Sequence, residues 1–522
     1  MNAAANAGGQ VLNRGFITAS IMAAALMQTL DTTIANVALP HIQGSVSASQ
    51  DQIVWVLTFY IVAAAIMTPL TGWLADRIGR KTLFLCSVAG FTLASALCGA
   101  AQSLGQIVAF RFLQGIAGAA LMPLAQAILL DINPPERYGQ AMATFASAVV
   151  LGPIVGPTLG GWLTENMSWR WVFFINLPLG VLAFLGAWMF MPGRGHGKAP
   201  RFDFFGYISL AVGVAALQLM LDRGPTNDWF GATETWVELA VAGLGIYLFI
   251  IHSVTAKAPL FDRALFRDAN FRTTSIASVV IMGSMYASLA LVPPMLQNLY
   301  GYPVFTAGLI IMPRGIGAFL TMLTVGRLLN RFDARMLMGL GVALLALSFW
   351  MMSRFALVMG AGPFIASGFI QGLSMGLIWV PMSTISFATL PGQYRTQGAT
   401  VSNLIRNVGG AIGISALQVL LISNMQVARA GLTQHVRADN PLMQQAMPGG
   451  PGGPFPGSPG GPGGPFPGLG AVNATITQHA AMIAYVDDYW LMAILTLLML
   501  PILLLLRKPG GGAAPPGAAM AD

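Results

Sequence analysis

The fold is decided by Gly72-Trp73-Leu74-Ala75-Asp76-Arg77-Ile78-Gly79-Arg80-Lys81, a short charged loop between two long apolar runs. The runs, residues 52–73 and 82–101, are each long enough to cross a bilayer as a helix. The loop between them, with one carboxylate and three cations, is therefore expected at one membrane face. This stretch predicts an integral membrane protein in which the loop joins the second and third spans.

The composition supports a membrane location along the whole chain. Only 8% of the 522 residues are charged, 55% are hydrophobic, and the mean hydropathy is +0.69, whereas soluble domains carry about 25% charged residues. Strands would need alternating segments of about ten residues, and the apolar runs are about twice that length. We therefore predict an all-α polytopic protein whose fourteen spans cover residues 16–40, 52–73, 82–101, 105–130, 140–164, 171–191, 204–222, 234–253, 271–294, 307–329, 336–354, 362–389, 398–425 and 485–506.

The basic residues are concentrated in the loops on one side of the predicted membrane. With residue 1 placed inside, the inner loops hold 18 Lys and Arg residues and the outer loops hold 5. Cytoplasmic loops of membrane proteins carry such an excess, so both termini are predicted to be cytoplasmic. The net charge of +8 is thereby explained without a nucleic-acid partner.

The chain contains an internal repeat. Phe112-Leu113-Gln114-Gly115 is matched by Phe369-Ile370-Gln371-Gly372, and the charged loop recurs in decayed form at residues 326–331. Spans seven and eight have no copy, so the predicted arrangement is 6+2+6, with the solute site between the halves near the midplane. The predicted segments are a tail at 1–13, a bundle at 14–192, an inserted pair with its linker at 193–270, a bundle at 271–507 and a tail at 508–522.

One long outer loop, residues 426–484, is predicted in the second bundle. It repeats a glycine- and proline-rich unit of nine residues at 449–457 and again at 460–468. Such a composition favours a disordered spacer. A docking element for a partner is the alternative.

Asp31 is the first candidate for chemistry, because a carboxylate within a membrane span is costly and usually functional. Gln28, Thr32 and Asn36 extend the polar stripe on nearly the same helical face. Arg111, in the fourth span, lies at a similar predicted depth. A pair of opposite charges at matched depth suits a proton switch, since the proton and the guanidinium compete for the carboxylate. Two alternatives remain. Asp31 could belong to a structural cluster of polar side chains within the bundle, or Asp31 and Arg111 could form a fixed structural ion pair.

The fifth span carries glycine and proline at a specific, high density, although packing alone explains the glycines. Glycines four residues apart leave a groove for close helix contact, and prolines bend the helix. The residues are Gly152, Pro153, Gly156, Pro157 and Gly160.

These motifs resemble those of the fourteen-span drug:proton antiporters of the major facilitator superfamily, and the long outer loop is most similar to EmrB-type permeases. The matching residues are Gly72, Asp76, Arg77, Gly79 and Arg80 in the gate loop, Arg111, Gln114, Gly115 and Gly118 in the fourth span, the fifth-span set, and Leu30 to Pro40 in the first span.

The resemblance implies a multidrug efflux antiporter of the bacterial inner membrane, driven by the proton gradient with no cofactor and no metal. It implies proton coupling by Asp31 and Arg111, and a clamp by Asp76 on the inner ends of the two halves. It also implies a periplasmic adaptor and an outer-membrane channel as partners.

The second half suggests a substrate class. Arg314 lies in the tenth span, and Arg406 lies in the thirteenth beside Asn403 and Asn407, whereas no Asp or Glu falls within the spans from 271 to 425. Family members that export divalent cations are expected to place an acidic residue in this half. Neutral or weakly acidic lipophiles are therefore favoured, unless backbone carbonyls hold both arginines.

Two other functions are open to such a chain. One is a major facilitator exporter or symporter for a specific metabolite, lipid or siderophore, because the fold does not fix the solute. The other is a membrane-embedded enzyme. The sequence lacks His-Glu-x-x-His, Gly-x-Ser-x-Gly and the phosphate-binding Gly-x-x-x-x-Gly-Lys-Ser/Thr loop, so a transporter rather than an enzyme is predicted.

Overall fold

The computed structural model describes residues 14–53, 55–192, 202–224, 229–434, 469–503 and 505–506. These residues form helices and turns and contain no strand. The long helices are α1 (Arg14–Val46), α2 (Trp55–Ile78), α3 (Arg80–Ala100), α4 (Leu104–Ile132), α5 (Tyr138–Asn166), α6 (Trp171–Phe190), α7 (Phe204–Arg223), α8 (Thr233–Thr255), α9 (Ala269–Asn298), α10 (Val304–Leu328), α11 (Ala334–Met352), α12 (Gly362–Ala388), α13 (Arg395–Gln434) and α14 (Asn473–Leu503).

The helices are long and apolar enough for a multi-pass membrane protein. Within the described ranges, 13 of them meet both conditions. The remaining long helix, α1, has 33 residues, but Gln28, Asp31 and Asn36 interrupt its apolar run. The predicted all-α polytopic class is confirmed, and the one long helix without a sufficiently apolar stretch is the one that carries Asp31.

The structure corrects the ends of three predicted spans. Helix α1 continues through Pro40 to Val46, so Asp31 lies 15 residues, about 22 Å, from its outer end. Helix α13 continues to Gln434 and α14 is already helical at Asn473, so both ends of the predicted outer loop are helical. The reason is mutual packing: α13 contacts α14, and Arg429 Nη2 donates to Asn473 Oδ1 at 2.9 Å.

Several predictions concern segments outside the described residues. These are the tail at 1–13, the glycine- and proline-rich repeats at 449–468 and the tail at 508–522. Residues 193–201, at the start of the predicted segment of the inserted pair and its linker, also lie outside them.

The inserted pair lies against both halves through one helix. At one end of α7, Asp222 accepts a hydrogen bond from Thr58 of α2, and the carbonyl of Leu221 accepts one from Ser415 Oγ of α13 at 2.8 Å. Helix α8 packs on α7, where Gly213 and Gly245 bring the two backbones together. Helix α7 thus fills the crevice between α2 and α13.

The two six-helix groups meet from the middle of the membrane to the face that carries the gate loop. We call this face the inner face, because the sequence predicts that it is cytoplasmic. The contacts pair Ile154 with Gly315, Phe145 with Trp379, Gln126 with Asn403, Gln140 with Gly326, and Asp131 with Arg395.

Helices α1 and α5 pack closely through the glycines of α5. A Cβ atom at Gly152 would lie 2.3 Å from Thr29 Oγ1 and 2.8 Å from its backbone carbon, and one at Gly156 would lie 2.2 Å from Thr33 Oγ1. Thr33 Oγ1 also donates to the carbonyl of Gly152 at 3.2 Å. The glycine groove predicted for the fifth span therefore holds α1.

This packing predicts that Gly152→Ala destabilises the protein. Overfilling a well-packed contact costs about 1–3 kcal/mol, so we expect a lower melting temperature in detergent. Gly161→Ala is the matched control, since a Cβ there meets nothing within 4 Å. Equal melting temperatures for the two variants would contradict the close α1–α5 contact.

Candidate functional site

The carboxylate of Asp31 is enclosed within the first bundle. The residue is 1% exposed, and Arg111 and Gln114 of α4 are 0% exposed. Arg111 Nη1 donates to Asp31 Oδ2 at 2.7 Å and to Gln114 Oε1 at 2.9 Å, while Gln114 Nε2 donates to Asp31 Oδ1 at 3.0 Å. The pair proposed from depth alone is thus in direct contact, and Gln114 bridges its two members.

A further donor, Asn176 of α6, was not identified from the sequence. Its Nδ2 donates to Asp31 Oδ1 at 2.7 Å and to Ser95 Oγ at 2.9 Å, and Ser95 Oγ donates to the carbonyl of Phe173 at 2.9 Å. Asn176 stands in the run Phe174-Ile175-Asn176-Leu177-Pro178. The sequence could have indicated this residue, because Asn176 is a single amide side chain in an otherwise apolar span.

The guanidinium of Arg111 is stabilised on its faces by aromatic rings. Its Cζ lies 5.2 Å from the ring centroid of Tyr60 and 4.9 Å from that of Phe173, within the range of cation–π attraction. Its Nε and Nη2 have no hydrogen-bond partner in the described part of the chain. The cation is therefore held by one carboxylate, one amide and two rings, a set that a change of charge on Asp31 would unbalance.

The polar stripe on α1 is divided between the face of Asp31 and a more exposed face. Gln28 and Thr32 are half-buried and Asn36 is exposed. Gln28 Nε2 donates to the carbonyl of Gly118 at 3.1 Å, and Asn36 Nδ2 donates to that of Thr32 at 3.2 Å. Gln28 thus faces α4 as Asp31 does, with its Oε1 buried, whereas Asn36 lies on an exposed side of the helix.

The second half contains a neutral counterpart of this contact. The spacing of 257 residues that relates Gln114 to Gln371 also relates Asp31 to Ser288 and Arg111 to Gly368. Gln371 Nε2 donates to Ser288 Oγ at 3.1 Å, and both residues are buried. The repeat therefore keeps the amide contact and omits both charges.

Arg314 of α10 lies beside Gly368, the position in the second half that corresponds to Arg111. Its Cβ lies 3.8 Å from a Cβ built on Gly368, and its Nη2 donates to the carbonyl of Met285 at 3.3 Å. The cavity beside it, which Gln371 also lines, has a volume of about 20 Å³, room for one water. Arg314 is half-buried, and these contacts lie within the second bundle.

Arg406 is buried at the interface between the halves. Its Nη2 donates to Asn403 Oδ1 at 2.6 Å, and its Cζ lies 5.6 Å from the centroid of Trp379. Asn403 Nδ2 in turn donates to Gln126 Oε1 of α4 at 3.1 Å. Arg406 is thus held by side chains. Arg314, by contrast, donates to a backbone carbonyl, which is the alternative that the sequence left open for both arginines. Asn407 is exposed and lies apart from this contact.

A buried carboxylate in the second half changes the argument about acidic residues. The spans from 271 to 425 contain none, but Asp488 of α14 is 1% exposed. Because α14 begins earlier than predicted, Asp488 lies well inside this helix. Arg314 and Arg406 still supply positive charge in the second half. This half nevertheless contains one buried acidic residue, Asp488.

The gate loop joins the inner ends of the halves. Gly79 ends α2 at a φ of +86°, a conformation that favours glycine. Arg80 pairs with Asp131 at the end of α4, and Arg395 Nη1 of α13 lies 3.3 Å from Asp131 Oδ1. Asp131 was not among the residues predicted from the sequence, although an acidic residue at the inner end of a span could have indicated it.

The remaining gate residues lie around the start of α13. A Cβ at Gly72 would lie 3.3 Å from Gln397 Cγ. Asp76 is half-buried and lines a cleft with Trp73 and Gln397. Arg77 is exposed, with its Cζ 5.0 Å from the ring centroid of Trp73.

The remaining fifth-span residues also lie in α5. Gly160 packs against Ile34, where a Cβ would lie 3.1 Å from Cγ2. Pro153 is exposed and Pro157 lies one turn later in the helix. Within the described ranges, no group of three or more His, Cys, Asp or Glu residues could hold a metal ion.

Comparison with known proteins identifies relatives over most of the chain. The family model of the Major Facilitator Superfamily matches residues 21–414. The multidrug export protein EmrB of Escherichia coli K12 is 36% identical over 430 residues, which cover 82% of this chain and 84% of that protein. The fatty acid resistance protein FarB of Neisseria gonorrhoeae is 34% identical over 491 residues, with 93% and 95% covered.

Solved structures share the fold at low sequence identity. The human organic anion transporter MFSD10 superposes with a TM-score of 0.60 at 14% identity and covers 94% of this chain and 98% of its own. The proton:xylose symporter XylE, bound to 6-bromo-6-deoxy-D-glucose, gives 0.58 at 12% identity, with 94% and 96% covered. The major facilitator fold predicted from the sequence is confirmed.

The buried ion pair predicts a strong energetic coupling between its members. Removing one partner of a buried pair costs about 3–5 kcal/mol, because the other charge stays buried without compensation. We expect Arg111→Gln to lower the melting temperature more than the double variant Asp31→Asn/Arg111→Gln does. Additive effects of the two single changes in this double-mutant cycle would show that the pair is not coupled.

The inner ion cluster predicts a shift in conformation. Asp131→Asn removes the counter-ion of both Arg80 and Arg395, and a partly exposed pair contributes about 1 kcal/mol. We therefore expect a several-fold increase in the population with separated inner ends, measured as spin-label distances between positions 140 and 327.

Glu136→Gln, which neutralises an exposed carboxylate at the same face, is the control for this measurement. An unchanged distance distribution in Asp131→Asn would exclude a gating role for the cluster.

Proposed function

The chain belongs to the major facilitator superfamily, and on that premise we propose that it is a proton-coupled antiporter that exports lipophilic or amphipathic compounds. The observation that carries this proposal is the buried contact between Asp31 and Arg111, with Gln114 and Asn176 as further donors. No cofactor is needed, because the proton gradient supplies the free energy.

The pair works as a proton switch by competition. When Asp31 is ionised, three donors satisfy its two oxygens. A proton on the carboxylate removes the charge that balances Arg111 and makes one oxygen a donor, so the arrangement with Gln114 must change. The proton state of one residue therefore sets the contact between α1 and α4.

The glycine groove can transmit this change to the other half. Thr29 and Thr33 flank Asp31 on α1 and occupy the groove of α5. Between the two groove glycines, Ile154 packs on Gly315 of α10, the neighbour of Arg314. A shift of α1 against α4 thus has a continuous packed route to the second bundle.

The arrangement of contacts supports alternating access with the outer side open. The contacts between the halves lie from the membrane centre to the inner face, where Asp131 and Arg395 meet. In this state Asp76 and its neighbours clamp the inner ends. Release of these inner contacts would open the protein toward the inner side.

The groups between the bundles favour neutral or weakly acidic substrates. The stripe of Gln28, Thr32 and Asn36 offers hydrogen bonds, and Arg314 and Arg406 offer positive charge. The relatives named for multidrug export and for fatty acid resistance fit substrates that are largely apolar. The alternative of a symporter for one metabolite has no comparable support, since the likeness to XylE concerns the fold alone.

We further propose that the protein lies in a bacterial inner membrane with both termini in the cytoplasm and works with a periplasmic adaptor and an outer-membrane channel. Helix α13 has 40 residues, about 60 Å, twice the thickness of the hydrocarbon core. With its inner end at the membrane surface, α13 and the paired start of α14 extend beyond the outer face, where an adaptor could bind them.

Proton release in proteoliposomes tests the function. The purified full chain is reconstituted with a pH dye inside, and neutral, weakly acidic and cationic lipophiles are added under an imposed pH gradient. We expect a neutral or weakly acidic compound to dissipate the gradient, and Asp31→Asn to slow this at least about tenfold. Protein-free liposomes correct for protons that the compounds carry themselves.

The double variant Asp31→Asn/Arg111→Gln, which contains no buried charge at the site, shows whether loss of transport arises from misfolding. Wild-type rates in Asp31→Asn would refute the coupling role. A response to cations alone would refute the substrate preference and leave the antiport standing.

A further inference from the structure

Asp488 of α14 is a buried carboxylate that the proposed switch does not use. It lies 15 residues, about 22 Å, from the inner end of its helix at Leu503, which places it within a hydrocarbon core about 30 Å thick. It is 1% exposed. It is therefore removed from solvent in the outer part of the second bundle.

The carboxylate of Asp488 is poorly satisfied. Asn424 Nδ2 of α13 lies 3.5 Å from Oδ1, at the limit of a hydrogen bond. Oδ2 has no hydrogen-bond partner in the described part of the chain, and no ion pair of Asp488 occurs there. Asp31, by comparison, has three donors, one of them a cation.

The neighbours on the same helix do not favour a negative charge. Asp487 precedes it and is exposed. Tyr485 and Tyr489 lie within electrostatic range. Two phenols and a second carboxylate supply no positive charge to balance Asp488.

The helices packed against α14 do not supply a counter-ion either. Arg429 of α13 donates to Asn473, more than a turn farther out than Asn424. Arg335 and Arg272 stand at the inner ends of α11 and α9. Arg354, just beyond the outer end of α11, lies with its Cζ 5.4 Å from the ring centroid of Trp350. Arg314 of α10 lies within electrostatic range of Tyr489 and donates to the carbonyl of Met285.

An unpaired ionised carboxylate in such a place costs several kcal/mol, so it takes up a proton instead. The protonated form also suits the geometry. A neutral carboxylic acid provides one hydroxyl donor and keeps an acceptor for Asn424.

We propose that Asp488 is a second proton-binding site, carried by the second bundle. This inference rests on the proposed antiport and gives it a second proton carrier, at a position that the internal repeat does not relate to Asp31. The step is a proton transfer between water and the carboxylate, with no other bond made or broken.

Infrared difference spectroscopy of the full chain in liposomes tests this site without a substrate. Spectra are compared between acidic and alkaline pH, and the carbonyl band of a protonated carboxylic acid is followed. We expect a band that disappears as the pH is raised in the wild type and is missing in Asp488→Asn. Asp487→Asn, which neutralises the adjacent exposed residue, and Asp31→Asn should keep it.

Two outcomes would overturn the proposal. A band equal in the wild type and in Asp488→Asn shows that Asp488 is not protonated. An Asp488 band that stays constant across the pH range shows a permanently neutral acid with a structural role. Neither outcome depends on transport, so failure here is distinguishable from failure of the antiport itself.

Discussion

The cost of placing a carboxylate inside a membrane protein is the constraint on which the first bundle depends. Asp31 is enclosed on all sides, and its charge is acceptable only because Arg111, Gln114 and Asn176 converge on it from α4 and α6. Two helices, α4 and α6, are thereby fixed around α1. The same cost makes the site responsive, because a single proton changes which of these contacts can form.

The internal repeat shows which part of this arrangement is structural and which part is specific to the first half. Ser288 and Gln371 keep the contact between the first and fourth helices of the second bundle without any charge. The glycine groove is also repeated, since Gly409 and Gly413 of α13 pack on Val279 and Gly283 of α9. Packing is therefore common to both bundles, whereas the ion pair belongs to the first alone.

The contacts between the bundles connect this charged site with the inner face. Helix α5 contacts α1 on one side and α10 on the other, so it belongs to both the proton site and the interface. At the inner end, Asp131 receives Arg80 from its own half and Arg395 from the other. A protein with this arrangement can link a buried proton to the separation of its halves through packed helices alone.

The sequence by itself determined the helical class, the repeat, the gate loop and the matched depth of Asp31 and Arg111, because hydropathy, glycine spacing and intramembrane charge are local properties of the chain. It did not reveal Asn176, Asp131 or the burial of Asp488, whose partners are far away along the chain. It also placed Asn36 with Asp31, although packing against α4 and α6 turns the carboxylate inward and leaves Asn36 exposed. Only tertiary structure decides such contacts, since it brings distant helices together and selects which face of each is enclosed.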